Sequence, residues 1–319
     1  MKNVLVSIFI LTTVLSLSHR AAGQSGASNL NVELTANAIL GDTAAVQQSL
    51  AKGANIEARN KDGNTPLILA AFSGNTDVVK LMVEKGAQLE ARSDAGLTAL
   101  LAAAVNGKAE TVRLLVAKGS NIEAQDKSGD TALIMAATNS ESDVFKLLLD
   151  KGANFEAKDN DGETALIMAA NNDTTEIANL LLEKGAKIED KDNIGRTALI
   201  MAADKGKIEV MKLLLARGAN IEARANYGLS PLLMATLAGN TEEVKLLLEK
   251  GANIEARDDR GNTALMAAAI MGKTGMVKLF LEKGANIDAR DINGGTALKL
   301  AAKTGSADVV KLLQEKGAH

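Results

Sequence analysis

The chain of 319 residues contains no cysteine, no tryptophan, one tyrosine and two histidines, His19 and the final residue His319. Without cysteine, the chain cannot form disulfide bonds, supply a thiol nucleophile or carry a lipid-modified amino-terminal cysteine. Because the two histidines lie near the ends, no histidine-based triad or histidine-ligated metal site is expected in the body of the chain. We therefore predict that the protein is not an enzyme and has no catalytic residues, no metal and no cofactor.

Two sequence markers recur with a period of 33 residues. A glycine that follows Lys or Arg closes each copy, and a Thr or Ser opens an apolar run such as residues 131–137. Both markers keep one phase without an insertion, which indicates tandem copies of one structural unit. The glycines are Gly53, Gly86, Gly119, Gly152, Gly185, Gly218, Gly251, Gly284 and Gly317, and the hydroxyl residues are Thr65, Thr98, Thr131, Thr164, Thr197, Ser230, Thr263 and Thr296.

Each copy is predicted to contain two short helices and an extended finger. The hydroxyl residue can cap the first helix, a glycine such as Gly74 can end it, and a second helix such as 242–250 follows. The segment 251–261 alternates apolar and polar residues and ends at glycine, as expected for an extended finger or hairpin. One copy is too small to bury both helices alone, so the core should lie between neighbouring copies of an all-α repeat solenoid.

Several motifs of the copies match a known repeat. The sequences Thr65-Pro66-Leu67 and Ser230-Pro231-Leu232, the paired Ala70-Ala71 and the Gly-Ala-Asn closures resemble the ankyrin repeat over most of the chain. The family usually has histidine after Thr-Pro-Leu, whereas this chain has mostly large apolar residues such as Ile68. The hydrogen bonds of that histidine are therefore absent, and we expect packing to maintain the fold. The resemblance implies protein binding through finger tips and the concave face of the first helices.

The resemblance also implies the domain boundaries. We expect an ankyrin-repeat domain of nine helical pairs at residues 30–319, with an amino-terminal cap at 30–53, internal repeats at 54–295 and a carboxy-terminal cap at 296–319. Polar residues at the ends of a repeat stack keep it soluble. In the two caps, polar residues replace apolar ones at Asn37, Gln48, Ser49, Lys299 and Gln314.

Residues 1–23 do not follow the repeat and have the pattern of a signal peptide. Lys2 precedes a mainly apolar stretch at 4–17, and Ala21-Ala22-Gly23 offers small residues to a signal peptidase. We expect a bacterial protein that is cleaved after Gly23 and exported to the periplasm or the medium, with a flexible leader at 24–29. The alternative is a membrane anchor, but the apolar stretch is shorter than the ~20 residues that span a bilayer. No membrane insertion is expected after cleavage.

The charge of the chain argues against nucleic acid as a partner. Without Lys2 and Arg20, 34 basic and 39 acidic side chains remain, which gives a formal charge of −5. No stretch concentrates Lys or Arg without matching acidic residues, as nucleic-acid binding would require. We expect a monomer whose partner is another protein.

The regular acidic residues recur with the fingers and do not cluster at one site. Glu57 and its counterparts are each followed two residues later by a position that is usually basic, such as Arg59. Residues two apart on an extended strand share a face, so we interpret them as a ladder of acid-base pairs between adjacent fingers. The alternative is a charged groove that grips a partner. A carboxylate-based hydrolase that uses Glu163 and Asp173 is a remote alternative.

The partner is expected to contact positions at which the copies differ. Tyr227, the only tyrosine, is predicted at a finger tip, where polar residues are usual. An exposed aromatic residue with apolar neighbours and an arginine rim is typical of protein interfaces. The predicted surface comprises Tyr227, Leu229, Leu237, Ile270, Met271, Arg224, Arg257 and Arg260. Alternatively, the aliphatic members cover neighbouring helices and only Tyr227 is free. A second predicted patch contains Phe72, Leu97 and Val105.

These features predict a non-catalytic protein-protein interaction scaffold of the cell envelope. The alternative is a secreted factor that binds a protein of a host or neighbouring cell. In either case the repeats supply a rigid surface, and the residues that vary among them select the partner.

Overall fold

A computed structural model describes residues 26–318 of the chain. The predicted signal peptide at 1–23 lies outside these residues. The described part contains eighteen α-helices, a short 3-10 helix at Asn226–Gly228 and no β-strand, which confirms the predicted all-α repeat fold. It divides into two compact units after Asn160. None of the helices within 26–318 has the length and apolar character needed to cross a membrane.

The amino-terminal unit, which ends at Asn160, contains four consecutive helix pairs. In this unit the first helix of each pair packs against the first helix of the next pair, and the second helices pack in the same way. The pairs are Gly26–Leu40 with Thr43–Ala51, Pro66–Ser73 with Thr76–Glu84, Ala99–Val105 with Ala109–Ala117, and Ala132–Thr138 with Ser142–Asp150.

The carboxy-terminal unit, which begins at Asp161, contains five helix pairs in the described residues. Here too, each first helix packs against the first helix of the following pair. The pairs are Ala165–Asn172 with Thr175–Glu183, Ala198–Lys205 with Ile208–Ala216, Pro231–Ala238 with Thr241–Glu249, Ala264–Ile270 with Thr274–Glu282, and Ala297–Thr304 with Ala307–Glu315.

The repeated Thr or Ser caps the first helix of each internal pair, as predicted. Thr65 Oγ1 accepts a hydrogen bond from the backbone NH of Ile68 at 3.3 Å, and Ser230 Oγ accepts one from Leu233 at 3.3 Å. Such a cap is worth about 1 kcal/mol because it satisfies an NH group that has no partner within the helix. Pro66 occupies the first turn of its helix, where a missing NH has no cost.

The core lies between neighbouring repeats. In the helix Ala99–Val105, every residue from 99 to 104 has no exposed surface, although a helix of this length cannot bury all its faces by itself. The neighbouring first helices on both sides provide the cover. Ile68 and Leu101, which occupy the family's histidine position, are at most 1% exposed. Packing therefore replaces the hydrogen bonds of the missing histidine, as expected.

Two loops between paired helices lack the usual glycine. Gly74 and Gly206 end their helices with φ values of 80° and 66°, in the left-handed region. Ser140 and Asp173 occupy the equivalent positions and take the same backbone conformation, with φ values of 62° and 61°. A residue with a Cβ pays roughly 1–2 kcal/mol for this conformation. The two substitutions therefore place local strain in the turn without changing the loop.

The two ends differ partly from the prediction. Residues 26–29, expected to belong to a flexible leader, form the first turn of the helix Gly26–Leu40. The leader prediction is therefore wrong for these residues, and the Asn29 amide supports the helix by donating to Glu33 Oε1 one turn later at 3.2 Å. In the predicted caps, Gln48 and Gln314 are exposed, whereas Ser49 is only 4% exposed.

Candidate binding surface

The acidic residues of the fingers bind backbone groups of the next finger. Glu222 Oε1 accepts a hydrogen bond from the NH of Asn253 at 2.7 Å, and Glu57 Oε1 accepts one from Gln88 at 2.8 Å. The same bond joins residues 31 apart in six fingers of the two units. The acids are Glu57, Glu90, Glu123, Glu189, Glu222 and Glu255.

The residues two positions later bind the backbone as well. Arg224 Nη2 donates to the carbonyl oxygen of Arg257 at 2.9 Å, and Arg257 Nη1 donates to that of Arg290 at 2.6 Å. The neutral Gln125 makes the same bond to Lys158 through its amide, so a positive charge is not required. The predicted pairing of acid with base is therefore wrong at these positions. The ladder aligns adjacent fingers through backbone hydrogen bonds.

A second set of bonds joins the finger tips directly. In the carboxy-terminal unit the NH of Asn226 donates to the carbonyl oxygen of Ile194 at 2.9 Å, and the NH of Asp259 donates to that of Tyr227 at 3.0 Å. The NH of Ile292 donates to the carbonyl oxygen of Arg260 at 3.0 Å. The tips of four consecutive fingers are thus linked by backbone hydrogen bonds.

Most of these tips are closed by a side-chain acceptor at their first residue. Asp258 Oδ1 accepts from the backbone NH of Arg260 at 2.9 Å and from that of Asn262 at 2.7 Å. Asp192 and Asp291 close their fingers with the same pair of bonds. An aspartate whose side chain binds the backbone two residues later is a common turn-forming device.

The finger that contains Tyr227 lacks this device because its first tip residue is Ala225. Alanine has no side-chain acceptor, and the tip forms a 3-10 turn instead. Tyr227 takes φ 62° and ψ 17°, whereas the corresponding residues of the other described fingers have negative φ. Its side chain is 78% exposed. The prediction of an exposed tyrosine at a finger tip is confirmed, and the structure adds a strained backbone at the same residue.

Two further apolar tip residues escaped the sequence prediction. Ile194 is 51% exposed and Ile292 is 70% exposed. Ile194 occupies the position in its finger that Tyr227 occupies in the following one. Ile292 occupies the position that Asp259 occupies in the preceding finger. Both interrupt the polar pattern of the tips, which was the signal that could have identified them.

The predicted aliphatic residues fall into two groups. Leu237, Ile270 and Met271 are 40%, 37% and 38% exposed, so the alternative in which only Tyr227 is free is wrong. They lie at the ends of the packed helices Pro231–Ala238 and Ala264–Ile270. Leu229 is half-buried and packs against a cluster that includes Ile200, so it supports the finger more than it offers surface.

The predicted arginines are exposed. The Arg224 side chain is 54% exposed and lies 3.5 Å from Asp259 Oδ1. Arg257 and Arg260 are also exposed. A shallow groove of about 300 Å³ lies between the finger that contains Tyr227 and the following finger. It is lined by Glu222, Arg224, Gly228, Ser230, Asn253, Glu255, Ala256 and Arg257. The acids and arginines of this lining already bind backbone groups, so the groove is part of the ladder.

The second predicted patch is not exposed. Phe72 is 8% exposed and belongs to a core cluster with Ile68, Leu69 and Ala102, against which Val105 packs. Leu97 is 6% exposed. The expectation that Phe72 offers a binding surface is therefore wrong, because an aromatic ring at this position fills the space between neighbouring first helices.

The two carboxylates considered for hydrolysis have structural partners. Glu163 Oε1 lies 3.2 Å from Arg196 Nη2, and Arg196 Nε lies 2.7 Å from Asp192 Oδ2. Asp173 Oδ1 accepts a hydrogen bond at 3.2 Å from the NH of Val210, in the first turn of the helix Ile208–Ala216. Both carboxylates thus stabilise the repeats.

Comparison with known families identifies the repeat. The family model described as Ankyrin repeats (3 copies) matches residues 34–126, 118–192, 190–258 and 234–319. These segments together cover almost all of the described residues. A search of curated proteins found no significant match.

Proposed function

This chain belongs to the ankyrin-repeat family, and we propose that it is a non-catalytic scaffold that binds another protein. Ankyrin repeats generally mediate protein-protein interaction. The proposed contact surface comprises the finger tips and helix ends of the carboxy-terminal unit. Its residues are Tyr227, Leu237, Ile270, Met271, Arg224, Arg257 and Arg260.

The exposure and backbone conformation of Tyr227 are the main support for this proposal. A tyrosine that is 78% exposed and has a left-handed backbone does not stabilise the fold by burial. Aromatic residues with nearby arginines are enriched among the residues that dominate binding energy at interfaces. Strain at an exposed anchor is therefore better explained by recognition than by folding.

The scaffold favours tight binding because its surface is ordered in advance. Side-chain and backbone bonds from one finger to the next hold the tips in place, as for Asp259 and Tyr227. A partner then does not have to order a flexible loop, which would cost binding free energy. The exposed apolar area of Leu237, Ile270 and Met271 adds a second contact region.

The carboxylates do not favour an enzyme. Ankyrin-repeat proteins are typically interaction modules without catalysis. Glu163 is paired with an arginine and Asp173 binds a helix NH, so neither is arranged as a free acid or base. We therefore expect no catalytic turnover that Glu163→Gln or Asp173→Asn could abolish.

The proposed location is the periplasm, where the protein would act on an enzyme or assembly of the same cell. The signal-peptide pattern of residues 1–23 supports export. The second candidate is a secreted factor that acts on another cell. Recovery of the protein in the envelope fraction favours the first location, and recovery in the culture medium favours the second.

A capture experiment tests the function. The chain from Gln24 is immobilised and exposed to the envelope fraction and, separately, to the medium. The variants are Tyr227→Ala, the double variant Leu237→Ser with Ile270→Ser, and Leu40→Ser as a matched control, because Leu40 is an exposed leucine of the amino-terminal unit. One protein captured by the wild type and the control but lost with either test variant supports the proposal. Equal capture by all forms, with circular dichroism unchanged, contradicts the proposed surface.

A further inference from the structure

Met271 is the most exposed methionine of residues 26–318. It is 38% exposed, whereas the nearby Met266 is 1% exposed. With Leu237 and Ile270 it lies at the exposed ends of two packed helices, and these three residues are here called the helix-end patch. We propose that a hydroperoxide oxidises Met271 selectively and reversibly, and that the resulting sulfoxide weakens the binding of a partner at the helix-end patch. This inference rests on the proposed scaffold function and adds a regulation of its contact surface.

The repeat does not require a methionine at position 271. The backbone NH of Met271 donates to the carbonyl oxygen of Ala267 at 3.1 Å, a bond that does not depend on the side chain. Among the other helix pairs only the first has a large apolar residue at this position, the exposed Leu40. The remaining pairs have polar or small residues there: Ser73, Asn106, Asn139, Asn172, Lys205, Ala238 and Thr304. The Met271 side chain therefore contributes to the surface more than to the fold.

The oxidation needs only the methionine sulfur and the peroxide. Because the chain contains no cysteine, the thioethers of methionine are its only sulfur atoms. A lone pair of the Met271 sulfur attacks one oxygen of the peroxide, and the S–O bond forms as the O–O bond breaks. With hydrogen peroxide, the proton of the transferred oxygen passes to the departing hydroxide, and water leaves. The sulfur loses two electrons and the peroxide gains them, which gives the sulfoxide.

The packing of the repeats makes this oxidation selective. A peroxide can reach the sulfur of Met271 in the folded protein, whereas it reaches a buried sulfur only after local unfolding. Among the other methionines of the described residues, none is more than half exposed to solvent contact: Met82, Met135, Met201, Met211, Met266 and Met276 are buried, and Met168 and Met234 are half-buried. Met271 is therefore expected to react first.

Oxidation changes the chemistry of the helix-end patch. The thioether is apolar, whereas the sulfoxide is polar and has an oxygen that accepts hydrogen bonds. A partner that covers Leu237 and Ile270 would then have to desolvate this oxygen beside apolar surface, at a cost in binding free energy. Reductases return both epimers of the sulfoxide to the thioether, so the change is reversible.

Mass spectrometry after exposure to hydrogen peroxide tests the selectivity. Trypsin releases residues 261–273 as one peptide that contains both Met266 and Met271, so fragment spectra compare a buried with an exposed sulfur in the same molecule. We expect Met271 to react at least about tenfold faster than Met266 in the folded protein, and at a similar rate in concentrated urea. Similar rates in the folded protein, or faster oxidation of Met168 or Met234, would overturn the inference.

Hydrophobic-interaction chromatography measures the helix-end patch without a partner. The oxidised wild type should elute earlier than the untreated protein, and treatment with methionine sulfoxide reductases and dithiothreitol should restore the original retention. Met271→Leu keeps an apolar side chain without a sulfur and should elute at the same volume before and after peroxide. An equal shift of this variant would show that another residue is oxidised and would contradict the inference. Since Met271 is exposed, unchanged circular dichroism is expected.

The protein recovered in the capture experiment reports the effect on binding. Oxidised wild type and Met271→Gln, which has a polar side chain of similar length, should each capture about five- to tenfold less of it. Met271→Leu should bind like the wild type and remain insensitive to peroxide. Leu40→Gln is the matched polar substitution at an exposed apolar residue of the amino-terminal unit and should leave capture unchanged.

Two binding results count against the regulation: equal capture by the oxidised and the reduced wild type, and equal loss with the Leu40→Gln control. These failures are distinct from failure of the scaffold function. A protein that is captured equally by both redox forms, but lost with Tyr227→Ala, would leave that function intact. If no protein is captured, the scaffold function fails, whereas mass spectrometry and chromatography still decide whether Met271 is the selective site of oxidation.

Discussion

The backbone NH of Asp259 donates to the carbonyl oxygen of Tyr227 at 3.0 Å, so one finger holds the strained residue of the finger before it. Two residues before Tyr227 lies Ala225, at a position where the other tips of the carboxy-terminal unit from Asp192 to Asp291 have an aspartate acceptor. The absent acceptor and the exposed tyrosine are thus parts of one local feature. This relation can be tested by restoring the acceptor.

Ala225→Asp should stabilise the protein and weaken partner binding. The new carboxylate can accept from the NH groups of residues 227 and 229, as Asp258 does in the next finger, and a net gain of about 0.5–1.5 kcal/mol is expected for such bonds. Tyr227 should then return to negative φ and present its ring differently. Urea unfolding and the capture experiment measure the two effects. Ala225→Leu, which adds similar bulk without an acceptor, should not stabilise; equal stabilisation by both variants would contradict the explanation.

Glycine should stabilise the protein at position 140 but not at position 173. The two residues have nearly the same φ, 62° and 61°, but only the Asp173 side chain caps the helix that contains Val210. Ser140→Gly is expected to raise the unfolding free energy by roughly 0.5–1 kcal/mol, after allowance for the greater entropy of glycine in the unfolded chain. Asp173→Gly loses a hydrogen bond worth about 1 kcal/mol and should be neutral or destabilising.

The urea midpoints of Ser140→Gly and Asp173→Gly, measured side by side, show whether glycine stabilises the protein at each position. Ser140→Ala is the control, because alanine keeps the Cβ and the strain while it removes the hydroxyl. Stabilisation by alanine as large as that by glycine would show that the serine hydroxyl, and not the backbone conformation, is unfavourable.

Arg196 should stabilise its finger through Asp192, whose side chain is 1% exposed. The Arg196 side chain is itself only 18% exposed, so the pair is shielded from solvent more than an ordinary surface ion pair. Arg196→Met is expected to cost about 1–2 kcal/mol, less than for a fully buried pair because Asp192 keeps its two backbone donors. A double-mutant cycle with Asp192→Asn measures the coupling.

The exposed pair of Lys212 with Glu209 provides the comparison for that cycle. Its side chains are 50% and 60% exposed, and the coupling should be near ~0–0.5 kcal/mol and fall with added salt. The Arg196 coupling should change little over the same range of salt. Equal couplings at both sites would mean that the guanidinium of Arg196 gains nothing from its enclosure.

The sequence predicts the fold well because each repeat carries its own structural signals. Thr65 and Ser230 cap their helices as expected, and the apolar runs that follow are buried. Exposure of Tyr227, Leu237 and Ile270 was also predicted from their departure from the repeat. These predictions depend on the spacing of residues within each repeat, which the sequence of one chain shows directly.

The contacts that the sequence misses depend on neighbours in space. Phe72 varies between repeats, as a surface residue would, but Ile39 and Val105 on adjacent repeats enclose it. The partner of Glu222 is a backbone NH, which has no sequence signature. The pattern of side chains alone therefore indicates pairing with an arginine. Neither outcome could be read from spacing along the chain.

Core and surface positions should respond differently to truncation of apolar side chains. Phe72→Ala is expected to cost about 3–4 kcal/mol because it leaves a cavity among Ile68, Leu69 and Ala102. Ile270→Ser should cost only about 1–2 kcal/mol, because the side chain is already 37% exposed. Urea unfolding gives both values. A small cost for Phe72→Ala would restore that residue as a candidate for surface binding.

Replacement of Glu222 separates the two explanations of the ladder. If the side chain acts as a hydrogen-bond acceptor for the NH of Asn253, Glu222→Gln keeps an amide oxygen in place and should change stability by less than about 0.5 kcal/mol. Glu222→Ala removes the acceptor and should cost roughly 1 kcal/mol. If the negative charge were required, glutamine would be as harmful as alanine and the loss would shrink at high salt. Since Gln125 already replaces a basic residue of the ladder without loss of its backbone bond, we expect the first result.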